Sequence, residues 1–261
     1  MSTPHPDAGH LPEATGLALK TVQAHVEPQE VTLYAAWWCP YAQRVWITLE
    51  ERGIPYQYKE VNPYEREPHF MAINPRGLVP AAEYKGQALT ESLAIVEFLE
   101  DAYPSHAPHV LPADPVARAR ARVWTDIANK TVVPAWFRLV MATGDDAAAQ
   151  AARREELYAG VRALMAEAAV DGPYFLGEQF STVDVALAPF VARDFVLAAH
   201  RGYERAEAGE RWVRYARALE ERKSVRETFS DKDRVMKSYA RYLSNEAQSE
   251  AAKAFRVGKA F

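Results

Sequence analysis

The residues between positions 31 and 61 change from an extended to a helical pattern and back again. Val31–Ala36 is an apolar, extended run, Tyr41–Arg52 has helical spacing, and Tyr56–Val61 is again extended. A Gly53-Ile54-Pro55 break separates the helix from the second strand. The three segments form one βαβ unit, so the sequence predicts an α/β domain in this part of the chain.

The chain of 261 residues contains one cysteine, Cys39, at the junction of the first strand and the helix. Pro40 follows it and suits the first turn of a helix, because the N–H that proline lacks would have no partner there. The positive end of the helix dipole would face the sulfur and lower a thiol pKa from about 8.5 to about 3.5–7.5. We therefore expect a thiolate at neutral pH, although single cysteines are often small buried apolar residues.

The position three residues after Cys39, where dithiol redox proteins have their resolving cysteine, is occupied by Ala42. Because the chain has no second cysteine, it cannot form an internal disulfide bond. A mixed disulfide on Cys39 must be resolved by an external thiol, and glutathione is the abundant thiol of most cytosols.

Composition limits the class of protein. A hydrophobic content of 49% allows a full core and two domains, and a net charge of −4 without a basic patch argues against nucleic acid as a partner. One cysteine favours a reducing compartment over a secreted disulfide framework. The apolar run Gly16–Leu19 is too short for a signal sequence or a membrane span. We expect a soluble, cytoplasmic protein without a membrane partner.

The chain divides into four segments by composition. Residues 1–28 hold four prolines and little apolar periodicity, which predicts a flexible N-terminal arm. Residues 29–104 form the α/β domain, and the proline-rich segment 105–113 is a linker. Residues 114–261 lack strand signals and predict an all-α domain of about five or six helices.

The remainder of the α/β domain predicts a short helix, a hairpin and a last helix. The short helix is Glu67–Ile73, the hairpin strands are Ala81–Tyr84 and Ala88–Leu89, and the last helix is Leu93–Ala102. In the second domain, Ser181-Thr182-Val183-Asp184 has the spacing of a capping box and should stabilise a central helix. Irregular spacing without a nearby cysteine argues against a metal site at the three N-terminal histidines: His5, His10 and His25.

These motifs, in this order, resemble the cytosolic glutathione transferases. The resemblance rests on the Cys-Pro turn, the Val-Pro before the third strand, the Glu-Ser pair before the last helix and the helical second half. Trp38–Ala42 and Asn74–Pro80 are similar to the omega class, and Asn245–Glu250 resembles fungal, cysteine-containing members. The resemblance covers about residues 30–255 and implies a thioredoxin-like N-terminal domain followed by an all-α C-terminal domain, the glutathione transferase fold.

The resemblance also implies a glutathione site around Cys39. The Val79–Pro80 bond would be cis, so that the Val79 backbone pairs with the cysteinyl part of glutathione. Glu91 and Ser92 would hold the γ-glutamyl end, although they could also simply cap the last helix.

Arg66 occupies the position at which the family commonly has a lysine that meets the glycyl carboxylate. Arginine can also bind a carboxylate, with two parallel hydrogen bonds. The neighbouring carboxylates of Glu65 and Glu67 could equally pair with it on a solvated surface.

The resemblance places a pocket for the second substrate between Cys39 and the helical domain. Aromatic side chains are candidates for its wall, although aromatic residues at helical spacing are more often core than pocket. The candidates are Tyr41, Trp124, Trp136 and Phe137, together with Tyr239 and Tyr242. Tyr34 and Tyr41 flank the cysteine as packing or lining residues rather than as the catalytic hydroxyl.

A catalytic cysteine implies thiol transfer, with glutathione as co-substrate and no metal. The expected reactions are reduction of mixed disulfides, dehydroascorbate or glutathionyl-ketones, and the second substrate would be a disulfide or a small hydrophobic compound. Two alternatives stay open: conjugation of glutathione to electrophilic xenobiotics, and binding of hydrophobic aromatic ligands without turnover. The resemblance also implies a homodimer.

Overall fold

The computed structural model of the protein describes residues 5–9, 13–143 and 147–259. The chain forms two compact units. The first consists of Met1–Val110 and Arg222–Val235, and the second consists of Leu111–Glu221 and Met236–Phe261. The boundary between Val110 and Leu111 falls inside the proline-rich segment 105–113.

A four-stranded mixed sheet forms the centre of the first unit. Its strands are β1 (Val31–Ala35), β2 (Gln57–Glu60), β3 (Ala81–Tyr84) and β4 (Gln87–Thr90), in the order β2-β1-β3-β4. β1 is parallel to β2 and antiparallel to β3, and β3 is antiparallel to β4. The parallel pair confirms the predicted βαβ unit, and the antiparallel pair confirms the predicted hairpin.

Helices make up most of the remaining described residues. In chain order they are α1 Gly16–Ala24, α2 Pro40–Arg52, α3 Pro68–Ile73, α4 Ser92–Ala102, α5 Pro115–Val140, α6 Ala147–Glu167, α7 Thr182–Val191, α8 Asp194–Arg201, α9 Glu210–Glu221, α10 Lys223–Glu227, α11 Lys232–Ser238, α12 Ala240–Leu243 and α13 Glu250–Arg256. Within the described ranges, none of them has the length and apolar content needed to cross a lipid bilayer.

Helix α2 connects β1 to β2 and packs against α4. It is buried along nearly its whole length and ends at Gly53, which has a left-handed conformation with φ of 58°. Glycine adopts this conformation at no steric cost and commonly ends a helix. Because nearly all of α2 is buried, the helix that follows Cys39 is part of the core.

The second unit is built around α7. All of its residues are buried, and it packs against α5 on one side and α9 on another. Together with the sheet of the first unit, this helical unit confirms the predicted fold class, an α/β thioredoxin-like domain and an all-α domain.

Helix α1 lies in the segment that we expected to be a flexible arm. Ala18 and Thr21 are its buried residues, and Thr21 Oγ1 donates a hydrogen bond to the Glu227 carbonyl at 2.7 Å. We did not expect a helix in this segment, because two small buried side chains three positions apart give only a weak apolar signal among the surrounding prolines. Residues 1–4 and 10–12 lie outside the described residues.

Residues 222–235 also depart from expectation. We expected one continuous helical domain over residues 114–261, but this segment belongs to the first unit and packs on α1 and α2. Arg222 pairs with Glu51 of α2, and Gln43 Nε2 donates a hydrogen bond to Thr228 Oγ1 at 3.2 Å. These partners are polar and distant in sequence, so hydrophobic periodicity does not reveal them.

Candidate active site

Cys39 is the N-cap residue of α2, and Pro40 is the first residue of the helix, as the sequence predicts. The Cys39 N–H donates to the Ala36 carbonyl at 2.8 Å, and its own carbonyl accepts the Gln43 N–H at 3.0 Å. The residue is half-buried. The strand, the turn and the first helical hydrogen bond together hold the thiol at the positive end of α2.

The Val79–Pro80 peptide bond lies next to this thiol. It is cis, the isomer that the resemblance implies. The Cys39 Sγ donates a hydrogen bond to the Val79 carbonyl at a distance of 3.6 Å. The fold thus brings together two motifs that are 40 positions apart in the chain.

Arg44 adds a buried cation to the site, which the sequence analysis missed. Its side chain is 1% exposed, Nη1 donates to Ser92 Oγ at 3.4 Å, and Cζ lies 4.9 Å from the centre of the Tyr41 ring. Burial lowers the pKa of Arg44 to about 10, and the charges of ionised Tyr41 and Cys39 act against that change.

Arg44 therefore stays protonated at neutral pH. Because an electrostatic interaction is mutual, a cation that is favoured by the Cys39 thiolate also favours that thiolate. The sequence shows Arg44 only as a charged residue in the second turn of the predicted helix, and an exposed arginine would give the same pattern.

Glu91 and Ser92 lie at the N-terminus of α4 but have different surroundings. Ser92 is the first residue of the helix, is 8% exposed and accepts the hydrogen bond from Arg44. Glu91 is the N-cap residue, has a φ of 68°, and forms an exposed ion pair with Arg76. A carboxylate has acceptor sites for more than one donor, so this ion pair leaves capacity for the ammonium of a ligand.

Arg66 is exposed, has a φ of 52°, and its guanidinium lies beside Gly77. The two carboxylates that could have paired with it have other partners: Glu65 accepts from Asn62 at 2.9 Å, and Glu67 lies 3.3 Å from His69. The predicted role of Arg66 at the glycyl carboxylate stays a prediction.

The aromatic candidates occupy different environments. Tyr41 is 9% exposed beneath Arg44, Tyr34 belongs to a core cluster with Phe70, and Trp124 is half-buried against Phe175.

Trp136 and Phe137 are core residues of the second unit, each 2% exposed, and not the pocket wall that we expected. Trp136 Nε1 donates to Asp194 Oδ1 at 3.1 Å, and Phe137 stacks on Phe255 at 4.7 Å. Tyr239 and Tyr242 pack on the same pair. This end of α5 is enclosed by other helices of the unit, and helical spacing alone cannot distinguish such a core from a pocket.

The described residues contain no group of three or more His, Cys, Asp or Glu side chains arranged to hold a metal ion. His5 stacks on Tyr64 at 4.6 Å, and His25 pairs with Glu50 at 3.1 Å. His10 lies outside the described residues.

Comparison with known proteins gives one consistent family. A model of the glutathione S-transferase N-terminal domain matches residues 38–102, and a model of the C-terminal domain matches residues 129–228. The chain is 29% identical over 210 residues to the probable glutathione S-transferase parC of Nicotiana tabacum, which covers 80% of this chain and 93% of the relative.

Solved structures agree. Glutathione transferase Omega 3C from Trametes versicolor is 58% identical, with a TM-score of 0.85 over 91% of this chain and 100% of that one. Rice GST1, solved in complex with glutathione, is 28% identical, with a TM-score of 0.75 over 85% of this chain and 99% of that one. With both domain models matched and most of the chain aligned to an omega-class structure, the protein belongs to the glutathione S-transferase family.

Proposed function

We propose that the protein is a glutathione-dependent thiol transferase of omega type in which Cys39 is the nucleophile. The observation that carries this proposal is the position of the sulfur, at the N-terminus of α2 and 3.6 Å from the Val79 carbonyl oxygen. No second cysteine is present in the chain to resolve a disulfide. The chemistry must therefore use an external thiol.

The reaction has two thiol–disulfide exchanges. In the first, the Cys39 thiolate attacks the glutathionyl sulfur of a mixed disulfide, forms Cys39–S–SG, and releases the other half as a thiolate that takes up a proton. In the second, a glutathione thiolate attacks the glutathionyl sulfur of Cys39–S–SG, which gives glutathione disulfide and regenerates the Cys39 thiolate. Over both exchanges, the sulfur of the released half is reduced to a thiol, the sulfur of one incoming glutathione is oxidised to the disulfide level, and Cys39 is unchanged.

Two features of the first unit support a thiolate at this position. The dipole of α2 favours an anion at its N-terminus, and the buried Arg44 cation favours the same charge. A hydroxyl at position 39 would stay protonated in this environment, so it could hold a glutathione thiolate but could not form a disulfide.

In this proposal, glutathione binds next to Cys39. Its cysteinyl backbone would pair with Val79, its γ-glutamyl end would meet Glu91 and Ser92, and its glycyl carboxylate would meet Arg66. The similarity to rice GST1, solved in complex with glutathione, supports this placement. Tyr41 and Trp124 remain candidates for the pocket of a disulfide or small hydrophobic second substrate.

We also propose that the protein acts in the cytoplasm as a homodimer. The single cysteine supports a reducing compartment. Dimerisation is supported by membership of the family, and light scattering at micromolar concentration tests it.

The direct test is reduction of hydroxyethyl disulfide by glutathione with the wild-type protein and the Cys39→Ser variant. We expect the variant to fall to the uncatalysed rate, and the Glu250→Ala variant, which changes an exposed side chain of α13, to retain turnover. Unchanged turnover in Cys39→Ser would contradict the proposed mechanism.

Conjugation of glutathione to electrophiles is a second candidate, favoured by the similarity to the tobacco and rice glutathione S-transferases. High turnover of chlorodinitrobenzene with little turnover of disulfides would support it over thiol transfer. The Cys39→Ser variant separates the two again, because a serine hydroxyl suits conjugation but not disulfide exchange.

A further inference from the structure

The carboxyl group of Glu60 lies behind the turn that carries Cys39. Glu60 is the last residue of β2, and the turn of residues 36–39 joins β1 to α2. Glu60 Oε1 accepts the backbone N–H of Trp37 at 3.1 Å, and Oε2 accepts the hydroxyl of Tyr58 at 2.8 Å. One side chain therefore links the end of the neighbouring strand to the backbone two residues before the thiol.

The hydrogen bond from the Cys39 N–H to the Ala36 carbonyl and the packing of the Trp37 ring also hold this turn. The Trp37 ring is 3% exposed, meets the Trp38 ring edge-on at 5.6 Å, and has the Arg234 guanidinium 5.8 Å from its centre. A buried backbone N–H that loses its acceptor is costly, so the bond to Glu60 is an important fixed point of the turn. A shift of the Trp37 backbone would move Cys39 with it.

Opposing effects decide the charge of this carboxyl group. Burial raises the pKa of Glu60 to about 8, and the hydrogen bonds from Tyr58 and Trp37 act in the opposite direction. Four other groups that titrate or carry charge lie around this part of the unit. They are the buried Tyr58 hydroxyl, whose pKa is well above its usual value, the Tyr56 hydroxyl and the Cys39 thiol, whose charges reach Tyr58, and Arg234 at the face of Trp37.

The two hydrogen bonds fit the ionised and the neutral carboxyl group differently. Both neighbours donate, so the carboxylate satisfies both without rearrangement. In the neutral form the proton cannot sit on Oε1, which faces the Trp37 N–H, and on Oε2 it requires Tyr58 to turn its own hydroxyl away. Hydrogen bonds to an ionised acceptor are also roughly twice as strong as neutral ones.

We propose that Glu60 is a positioning residue for Cys39: its carboxyl group fixes the turn that presents the thiol, and the ionised form fixes it more firmly than the neutral form. The Cys39 thiol then has two states of different reactivity, one with the Glu60 carboxyl group ionised and one with it neutral. This inference rests on the proposed role of Cys39 as nucleophile.

The test is the rate of Cys39 alkylation by iodoacetamide between about pH 5 and about pH 10. The reagent needs neither glutathione nor a disulfide, so a failure here is distinct from a failure of the proposed thiol transferase activity. We expect the wild-type profile to show the ionisation of the thiol and a second inflection near pH 8.

The Glu60→Gln variant keeps an oxygen for the Trp37 N–H but cannot titrate. Its profile should show the thiol step alone and should coincide with the wild type in acid solution, where Glu60 is neutral. The matched control is Glu83→Gln on β3, which should keep both inflections. A second inflection that survives in Glu60→Gln, or a wild-type profile without one, would overturn the inference.

Tyr58→Phe provides a second variant that keeps the carboxyl group. Without the hydroxyl, the carboxylate loses a donor that favours its charged form, so the second inflection should move to higher pH. An unmoved inflection would contradict the role of Glu60. If Glu60→Gln does not fold, the direction of this shift decides the question.

Discussion

Two helices of this protein, α2 and α7, each begin after an extended N-cap residue, but their first turns differ in chemistry. Helix α7 has Ser181 as its N-cap residue and Asp184 at its third position, and Asp184 Oδ2 accepts both the N–H and the hydroxyl of Ser181 at 2.7 Å. Helix α2 has Cys39 and Ala42 at the same two positions. The helix N-terminus that holds a capping box in α7 therefore holds, in our proposal, a reactive thiol in α2.

The comparison separates a helix start that is fixed by hydrogen bonds from one that, in our proposal, carries a reactive thiol. Asp184 is fully buried, and its Oδ1 also accepts the Phe175 N–H at 3.0 Å, so α7 is fixed at its start by its own side chains. Ala42 has no acceptor atom in its side chain. The positive end of α2 therefore favours a negative charge nearby, either on the Cys39 sulfur or on a glutathione bound next to it.

The largest expected effect is on activity, and it comes from giving α2 the same N-cap residue type as α7, a serine. Cys39→Ser puts a preferred capping residue at the N-cap position, so we expect stability to be unchanged or higher by up to about 1 kcal/mol. Disulfide turnover should fall to the uncatalysed rate, because an alcohol is not ionised at neutral pH. Parallel urea unfolding and turnover assays measure both, and a large loss of stability would contradict the comparison.

The converse change, Asp184→Ala, should cost stability without changing the thiol. It leaves three buried donor groups without their acceptor, which predicts a loss of about 3 kcal/mol or more in the free energy of unfolding. The alkylation rate of Cys39 in the folded protein should stay the same. Glu250→Ala at the start of α13 is the control, because its exposed pair with Lys253 is worth less than about 1 kcal/mol. Equal losses in both variants would contradict the role assigned to the capping box.

A smaller effect is expected from the buried cation in the second turn of α2. Arg44→Met removes a positive charge that favours the Cys39 thiolate, so the alkylation rate near neutral pH should fall by about tenfold, which corresponds to one pKa unit. Arg44→Lys keeps the charge and should recover much of the rate. If the two variants alkylate equally slowly, Arg44 acts through packing rather than charge.

The smallest effect concerns the opposite end of α2. Both ring nitrogens of His25 face acceptors, the Tyr56 carbonyl at 3.2 Å and Glu50 Oε1 at 3.1 Å, so the protonated ring fits both. Burial opposes the charge, but the hydrogen bond and charge of Glu50 outweigh it, and the pKa of His25 rises above 6.5.

A raised folded-state pKa stabilises the protein below the unfolded pKa of about 6.5, and this contribution is lost as the pH rises through the folded value. The His25→Gln variant should therefore lose stability at about pH 6, by less than about 1 kcal/mol, and lose less at about pH 8. Urea unfolding at the two pH values measures the difference. A deficit that grows with pH would contradict this sign.

The start of each of these helices could be predicted from the sequence because the information is contiguous. Cys39-Pro40 after an apolar run, and Ser181 three residues before Asp184, each define a helix start without any distant contact. Val79-Pro80 could be placed for the same reason.

What could not be predicted depends on contacts between distant residues. Arg44 meets Ser92, Gln43 meets Thr228, and Glu60 meets Trp37 across the sheet, and no periodicity marks these polar partners. The pocket prediction for Trp136 missed for a different reason, because an aromatic residue on a long helix has the same spacing whether it lines a pocket or fills a core.

The most direct test of the central claim is the mass of the intact protein after exposure to glutathione disulfide and then to excess glutathione. Because Cys39 is the only cysteine, any disulfide-linked adduct must be attached to it. We expect the folded protein to gain one glutathionyl group in the first step and to lose it in the second. A folded protein that gains none, or one whose adduct glutathione cannot remove, would contradict the proposed exchange at Cys39.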